Sequence, residues 1–126
     1  MHPDLGIGGA ERFIVDIAVC LQNQGHSVVV YTSHYSQDHC FEESRQLNIR
    51  VHGDWIPRHI FNYFHILFSI IRAVYLAIAL YLSSDDFDLI VSDQVSFSIP
   101  ILKQCAQKVF FIDYRLFFMA IFLIYF

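Results

Sequence analysis

The chain opens on His2-Pro3-Asp4-Leu5-Gly6-Ile7-Gly8-Gly9-Ala10-Glu11-Arg12, with glycine at three of the four positions from 6 to 9. A helical pattern begins at once. Ala10, Phe13, Ile14, Ile17, Ala18 and Leu21 follow the spacing of one helix face. Glycines let backbone N–H groups approach a ligand with no Cβ between them. The unpaired N–H groups of a first helical turn then favour an anion, most often a phosphate. An ordinary tight turn accounts for the same glycines equally well. On the first reading Gly8 and Gly9 are the candidate substrate-binding residues.

Working outward, strand and helix patterns alternate. The helix from 10 to 24 stops at Gly25, a usual C-terminal signal. Ser27 to Thr32 is β-branched and continuous, as expected of a strand buried in a parallel sheet. Residues 33–48 read as a polar loop, and Ile49 to His52 as a short strand. Phe87 to Ser92 reads as a strand, Phe97 to Ala106 as a short helix, and Val109 to Ile112 as another strand. Such alternation implies an α/β fold with a doubly wound parallel sheet, Rossmann-like in type. Ligands of these sheets bind at the carboxyl ends of strands. Asp93 and Gln94 are therefore cleft candidates, with a plain turn before the next helix as the equal alternative. A glycine turn of this kind normally follows a central strand. Only Met1 precedes His2, so that strand is expected to be missing.

Two common nucleotide sites are excluded by named positions. A dinucleotide fingerprint starting at Gly6 needs glycine where Glu11 stands, and an acidic residue after the next strand, where Thr32, Ser33 and His34 follow. A Walker loop needs Gly-Lys-Ser/Thr, and no lysine lies near. Asp86-Phe87-Asp88 has the letters of a metal-binding Asp-x-Asp but precedes its strand, and reads as a solvated turn. His34, His39 and Cys40 have neither helical nor zinc-knuckle spacing, so no metal ligands are expected there.

Composition narrows the class. The 126 residues make one domain at most. A net charge of −4 gives no footprint for nucleic acid. Cys20, Cys40 and Cys105 are scattered and odd in number, which suits buried reduced thiols. There is no signal-peptide pattern and no Asn-x-Ser/Thr sequon, both compatible with a cytosolic face.

Ile60 to Leu82 is a 23-residue apolar segment, about 35 Å as a helix, against a hydrocarbon core of about 30 Å. Asn62, His65, Ser69 and Arg72 make one polar stripe along it. The strands on either side belong to one sheet, which a spanning helix would divide. The expectation is a helix packed on the sheet, or lying in a membrane interface with Arg72 snorkelling, with a membrane span as the alternative. The tail Leu116 to Phe126 is 11 apolar residues, too short to span alone.

The opening motif resembles that of the family 4 retaining glycosyltransferases, and within them the mannosyltransferases of the dolichol-linked oligosaccharide pathway. Further blocks match in the same order. They are Tyr31-Thr32-Ser33-His34-Tyr35 leading to His39-Cys40-Phe41-Glu42-Glu43, then Gly53-Asp54-Trp55-Ile56-Pro57, then Ser92-Asp93-Gln94-Val95-Ser96 running on to Pro100. The resemblance implies that residues 1–112 form the amino-terminal Rossmann-like half of a two-domain GT-B enzyme, truncated at both ends, with 113–126 a divergent apolar tail. It implies GDP-mannose as donor and a dolichyl-diphosphate-linked oligosaccharide as acceptor, with α-1,3 and α-1,6 linkages made for protein N-glycosylation. The place implied is the cytosolic face of the endoplasmic reticulum membrane. Gly8 and Gly9 would lie in the inter-domain cleft, no metal or cofactor is required, and no catalytic residue is assigned. Set beside it are a non-catalytic, membrane-associated truncated isoform and a small nucleotide-binding oxidoreductase. Glu11 and Thr32 to His34 disfavour the last.

Overall fold

The computed structural model describes residues 1–56, 64–83, 85–113 and 120–124. Helix α1 (Gly9–Asn23) begins where the glycines end, with Gly8 at the N-cap in extended conformation. Gly25 has a φ of +90°, a region glycine enters without a Cβ penalty, and it ends the helix where the sequence placed the stop. Ile14, Val15 and Ala18 are the buried part of the apolar face.

Strand β1 (Val29–Thr32) pairs in parallel with β2 (Asn48–Val51). Strand β3 (Phe87–Asp93) pairs in parallel with β4 (Ala106–Asp113), and β5 (Ala120–Ile124) runs antiparallel along β4. Residues 1–5 join the two groups. His2 bridges Thr32 and Leu5 bridges Tyr35, both in parallel sense. The His2 amide donates to the Tyr31 carbonyl at 2.9 Å and the Leu5 amide to that of His34 at 3.0 Å. On the other side the Met1 nitrogen donates to the carbonyl of Val91. Two sheets, β2-β1 and β3-β4-β5, thus flank residues 1–5, which are bonded to both. As expected, no regular strand precedes α1: residues 1–5 make isolated bridges only. Two isolated bridges make no continuous ladder, but residues 1–5 occupy the central place.

From there the chain winds one way through α1 to β1. After β2 it returns through α2 (His65–Leu82) to β3 on the other flank. The winding reverses between residues 1–5 and β3, which is the point where an open α/β sheet has its ligand crevice. Both faces are covered. Val30 packs with Leu5, Val15, Ala18 and Leu47, while its neighbour Tyr31 packs with Leu76, Ala77, Leu80, Ile90 and Val109. Successive strand residues point to opposite faces, so α1 and α2 each cap one of them.

Arg72 is buried, and its Nη2 donates to the Pro3 carbonyl at 3.1 Å. Snorkelling is therefore ruled out for this residue. Its guanidinium satisfies a carbonyl beside the glycine turn, which binds α2 to residues 1–5. Ile66, Leu67, Ile71, Ile78, Tyr81 and Leu82 stay exposed on the same helix. Helix α2 has the length and apolarity to cross a membrane, yet its other side is part of the core. Asn62 and the rest of 60–63, with 116–119 and 125–126 of the tail, lie outside the described residues.

Other boundaries moved for local reasons. The loop 33–48 contains a 3-10 turn at Glu42–Gln46, and β2 starts at Asn48. The helix expected from Phe97 is a 3-10 turn (Ser96–Ser98) running into α3 (Ile99–Leu102), which ends well short of Ala106. The chain has turned by then, because Ala106 already pairs with Phe87 and starts β4 three residues before Val109. Part of the apolar tail adds the backbone of β5 to the sheet.

Candidate functional site

The carboxyl ends of β1 and β3, with His2 between them, bring together residues far apart in sequence. His2 Nδ1 lies 2.7 Å from Asp93 Oδ2, and both side chains are 0% exposed. On the opposite side of the ring, His2 Nε2 lies 3.6 Å from Glu11 Oε1, an ion pair too long for a hydrogen bond. Asp93, His2 and Glu11 thus form a line from the sheet interior to the first turn of α1. Burial pulls the imidazole pKa down. The Asp93 hydrogen bond, with Glu11 and the two negative charges, outweighs burial and pushes it up from 6.5 to about 9. Glu11 is held below its usual value, chiefly by His2 and partly by its own backbone N–H.

Glu11 is the third residue of α1 and folds back over the helix start. A Cβ added at Gly8 would run into its carboxylate, while one added at Gly9 would meet nothing within 4 Å. Neither glycine has a positive φ. Nothing in the chain's own packing or backbone, then, requires glycine at position 9.

Asp93, expected as a cleft residue, is sealed from solvent and reaches the crevice only through His2. Gln94 follows it, half-buried, at a φ of +65° that side chains rarely adopt. Its amide donates to the Ile112 carbonyl at 3.2 Å, and the Val95 amide to the Asp93 carbonyl at 2.8 Å. These bonds hold the bend that turns the chain away from β3. Among the described residues, His2 Nε2, Asp93 Oδ1, Ser92 Oγ and Ser33 Oγ are buried with no hydrogen-bond partner. Ser92 and Asp93 close β3, Ser33 follows β1, and His2 bridges Thr32 at the end of β1, so all four sit at one level of the sheets. An orphaned buried polar atom carries a desolvation cost of about 1–3 kcal/mol, so their concentration marks this end of the sheet.

His2, Glu11 and Arg72 have roles the sequence reading did not assign. No local spacing could have revealed the first, since His2 and Asp93 are 91 positions apart. The remaining motifs do not converge. His34 Nδ1 turns to Asp54 Oδ1 at 2.6 Å, and the Cys40 thiol meets the Tyr35 hydroxyl at 3.5 Å. Asp86 and Asp88 are exposed. Among the described residues no three His, Cys, Asp or Glu side chains gather as metal ligands would.

Residues 7–113 match Glycosyltransferase Family 4. The alpha-1,3/1,6-mannosyltransferase ALG2 of Rhizomucor pusillus is 50% identical over 106 residues, 82% of this chain and 23% of that protein. Its counterpart from Saccharomyces cerevisiae is 51% identical over 106 residues, 81% of this chain and 21% of that protein. The one from Homo sapiens is 43% identical over 111 residues, 86% of this chain and 27% of that protein. The chain thus spans about a quarter of the length of the curated relatives it matches. No solved structure matches it.

The buried imidazole makes stability depend on pH. Its folded pKa lies above the unfolded value, so its contribution is complete below 6.5 and is lost as pH rises through about 9. Burial lowers the pKa of the Met1 amine, and that group acts in the opposite sense over part of the window. The test is therefore the difference in Tm between the parent and His2→Gln, measured from about pH 6 to about pH 10. The difference should shrink steadily with rising pH. A constant difference would show that His2 does not gain a proton on folding.

Proposed function

This chain belongs to glycosyltransferase family 4, and we propose that it forms one wall of the substrate crevice of a mannosyltransferase. The reaction is transfer of mannose from GDP-mannose to a dolichyl-diphosphate-linked oligosaccharide, in α-1,3 and α-1,6 linkage, for protein N-glycosylation. One observation carries the reading: half of the residues are identical, over 106 positions, to proteins named alpha-1,3/1,6-mannosyltransferase. The geometry agrees, because the glycine turn, a helix start and the strand ends meet at the switch point.

In this reading Gly8 and Gly9 admit a phosphate to the start of α1. The first N–H groups of the helix, with about half a unit of positive charge, stabilise negative charge on a diphosphate as its bond to the sugar breaks. Asp93 acts through His2, and Gln94 sits at the bend beside them. Facing walls are needed to hold donor and acceptor at near-attack distance. No catalytic residue is assigned to this chain and no metal enters the scheme.

The place is the cytosolic face of the endoplasmic reticulum membrane. The support for it is the outer face of α2, where Ile66, Leu67, Ile71 and Ile78 are exposed beside Trp55 and Tyr75, stacked edge to face at 5.7 Å. A helix with one face in the core and an apolar outer face attaches to an interface without crossing it.

Two experiments test these statements. Residues 7–113 grafted over the matching segment of the Saccharomyces cerevisiae relative should sustain mannosyl transfer. Gly9→Val in that chimera should lower turnover at least about ten-fold, with folded yield unchanged, because the new side chain fills the ligand's approach. Unaltered turnover would reduce the glycine turn to a structural element. For the membrane, single cysteines placed at Arg50 and Asp86, in a chain freed of its own, should both label on sealed microsomes with an impermeant reagent. Labelling of either one only after the vesicles are opened would mean that α2 spans.

A further inference from the structure

Glu11 stands where an anionic ligand of the α1 start would stand. Its carboxylate lies over Gly8 and faces His2 Nε2 at 3.6 Å. Behind it the imidazole is completely buried, with Nε2 aimed at the helix start and without a hydrogen-bond partner. Glu11 itself is 22% exposed, so it separates that nitrogen from solvent. A carboxylate at 3.6 Å satisfies the charge of the ring but not its N–H. A phosphoryl oxygen at hydrogen-bond distance would satisfy both.

We propose that Glu11 is a built-in anion that occupies the start of α1 and shields His2, and that a ligand's phosphoryl group displaces it. This rests on the reading that the crevice takes a phosphate-bearing substrate. Glu11 swings outward as the ligand enters, and His2 Nε2 donates to the incoming oxygen while Nδ1 stays on Asp93. Anionic ligands therefore bind only as well as they outcompete Glu11. Neutral sugars cannot open the site, because they offer His2 no replacement charge. The shared chemistry is a diphosphate, carried either by a sugar nucleotide or by a lipid.

The test measures binding of inorganic pyrophosphate to the 126-residue chain by calorimetry, so it does not depend on catalysis. Glu11→Gln, which keeps shape and removes charge, should bind pyrophosphate about ten-fold more tightly than the parent, and Glu11→Ala should do the same. Adding Asp93→Asn or His2→Gln to Glu11→Gln should cancel the gain. Equal affinity of parent and both Glu11 variants would overturn the proposal, as would a gain that survives loss of His2. GDP and farnesyl diphosphate serve as separate arms. Whichever shows the same dependence on Glu11 identifies the source of the diphosphate, and dependence in neither would also overturn the proposal. A chimera that fails to transfer mannose while Glu11→Gln still tightens pyrophosphate binding would sink the mannosyltransferase reading and leave this one standing.

Discussion

The hydrogen bond between His2 Nδ1 and Asp93, 2.7 Å long and closed to solvent, ties residues 1–5 to β3 where the sheet reverses its winding. Other features depend on that tie. Residues 1–5 make only two bridges to the β1 side, too few to hold a strand by backbone pairing alone. An ionised pair in the interior adds what the short ladder lacks, at a desolvation cost that a second carboxylate, Glu11, helps to offset. Arg72 approaches from the other face of the sheet and fixes the Pro3 carbonyl. Two buried cations, one on each side of the sheet, thus position the segment that leads into the glycine turn.

The same arrangement explains why a cluster of buried polar groups survives within so apolar a chain. Hydrophobic residues make up 56% of the sequence, and both faces of the sheet are filled by them. The orphaned atoms of Ser33, Ser92 and Asp93 lie at one end of the strands only. An interior built purely for stability would have apolar groups there. The helix start and the imidazole place groups that attract negative charge at that end, where Glu11 now lies.

Much of the scaffold was legible from residue patterns. The limits of α1 lie within one residue of those read from periodicity and Gly25, and β1 and β3 follow the apolar runs. The glycine turn was found because its chemistry is local. What escaped depends on distance or burial. The polar stripe of the long apolar segment suggested a wet edge, yet Arg72 turns inward, since a carbonyl of residues 1–5 awaited it. Asp93 was picked out by its place after a strand, but its partner, 91 positions away, carries no signal in spacing. The late start expected for β4 reflects hydrophobicity alone, whereas parallel pairing with Phe87 begins it at Ala106. The part of Glu11 has no local signal, because nothing in the sequence shows that an imidazole lies beneath it.

The most direct measurement is the protonation state of the His2 ring, by nitrogen-15 NMR of the imidazole at neutral pH. Held between Asp93 and Glu11, both ring nitrogens should carry protons, and the Nδ1 proton should be protected from exchange with water. A neutral ring with one bare nitrogen, or an Nδ1 proton that exchanges freely, would contradict a central segment tied to β3 by a buried imidazolium.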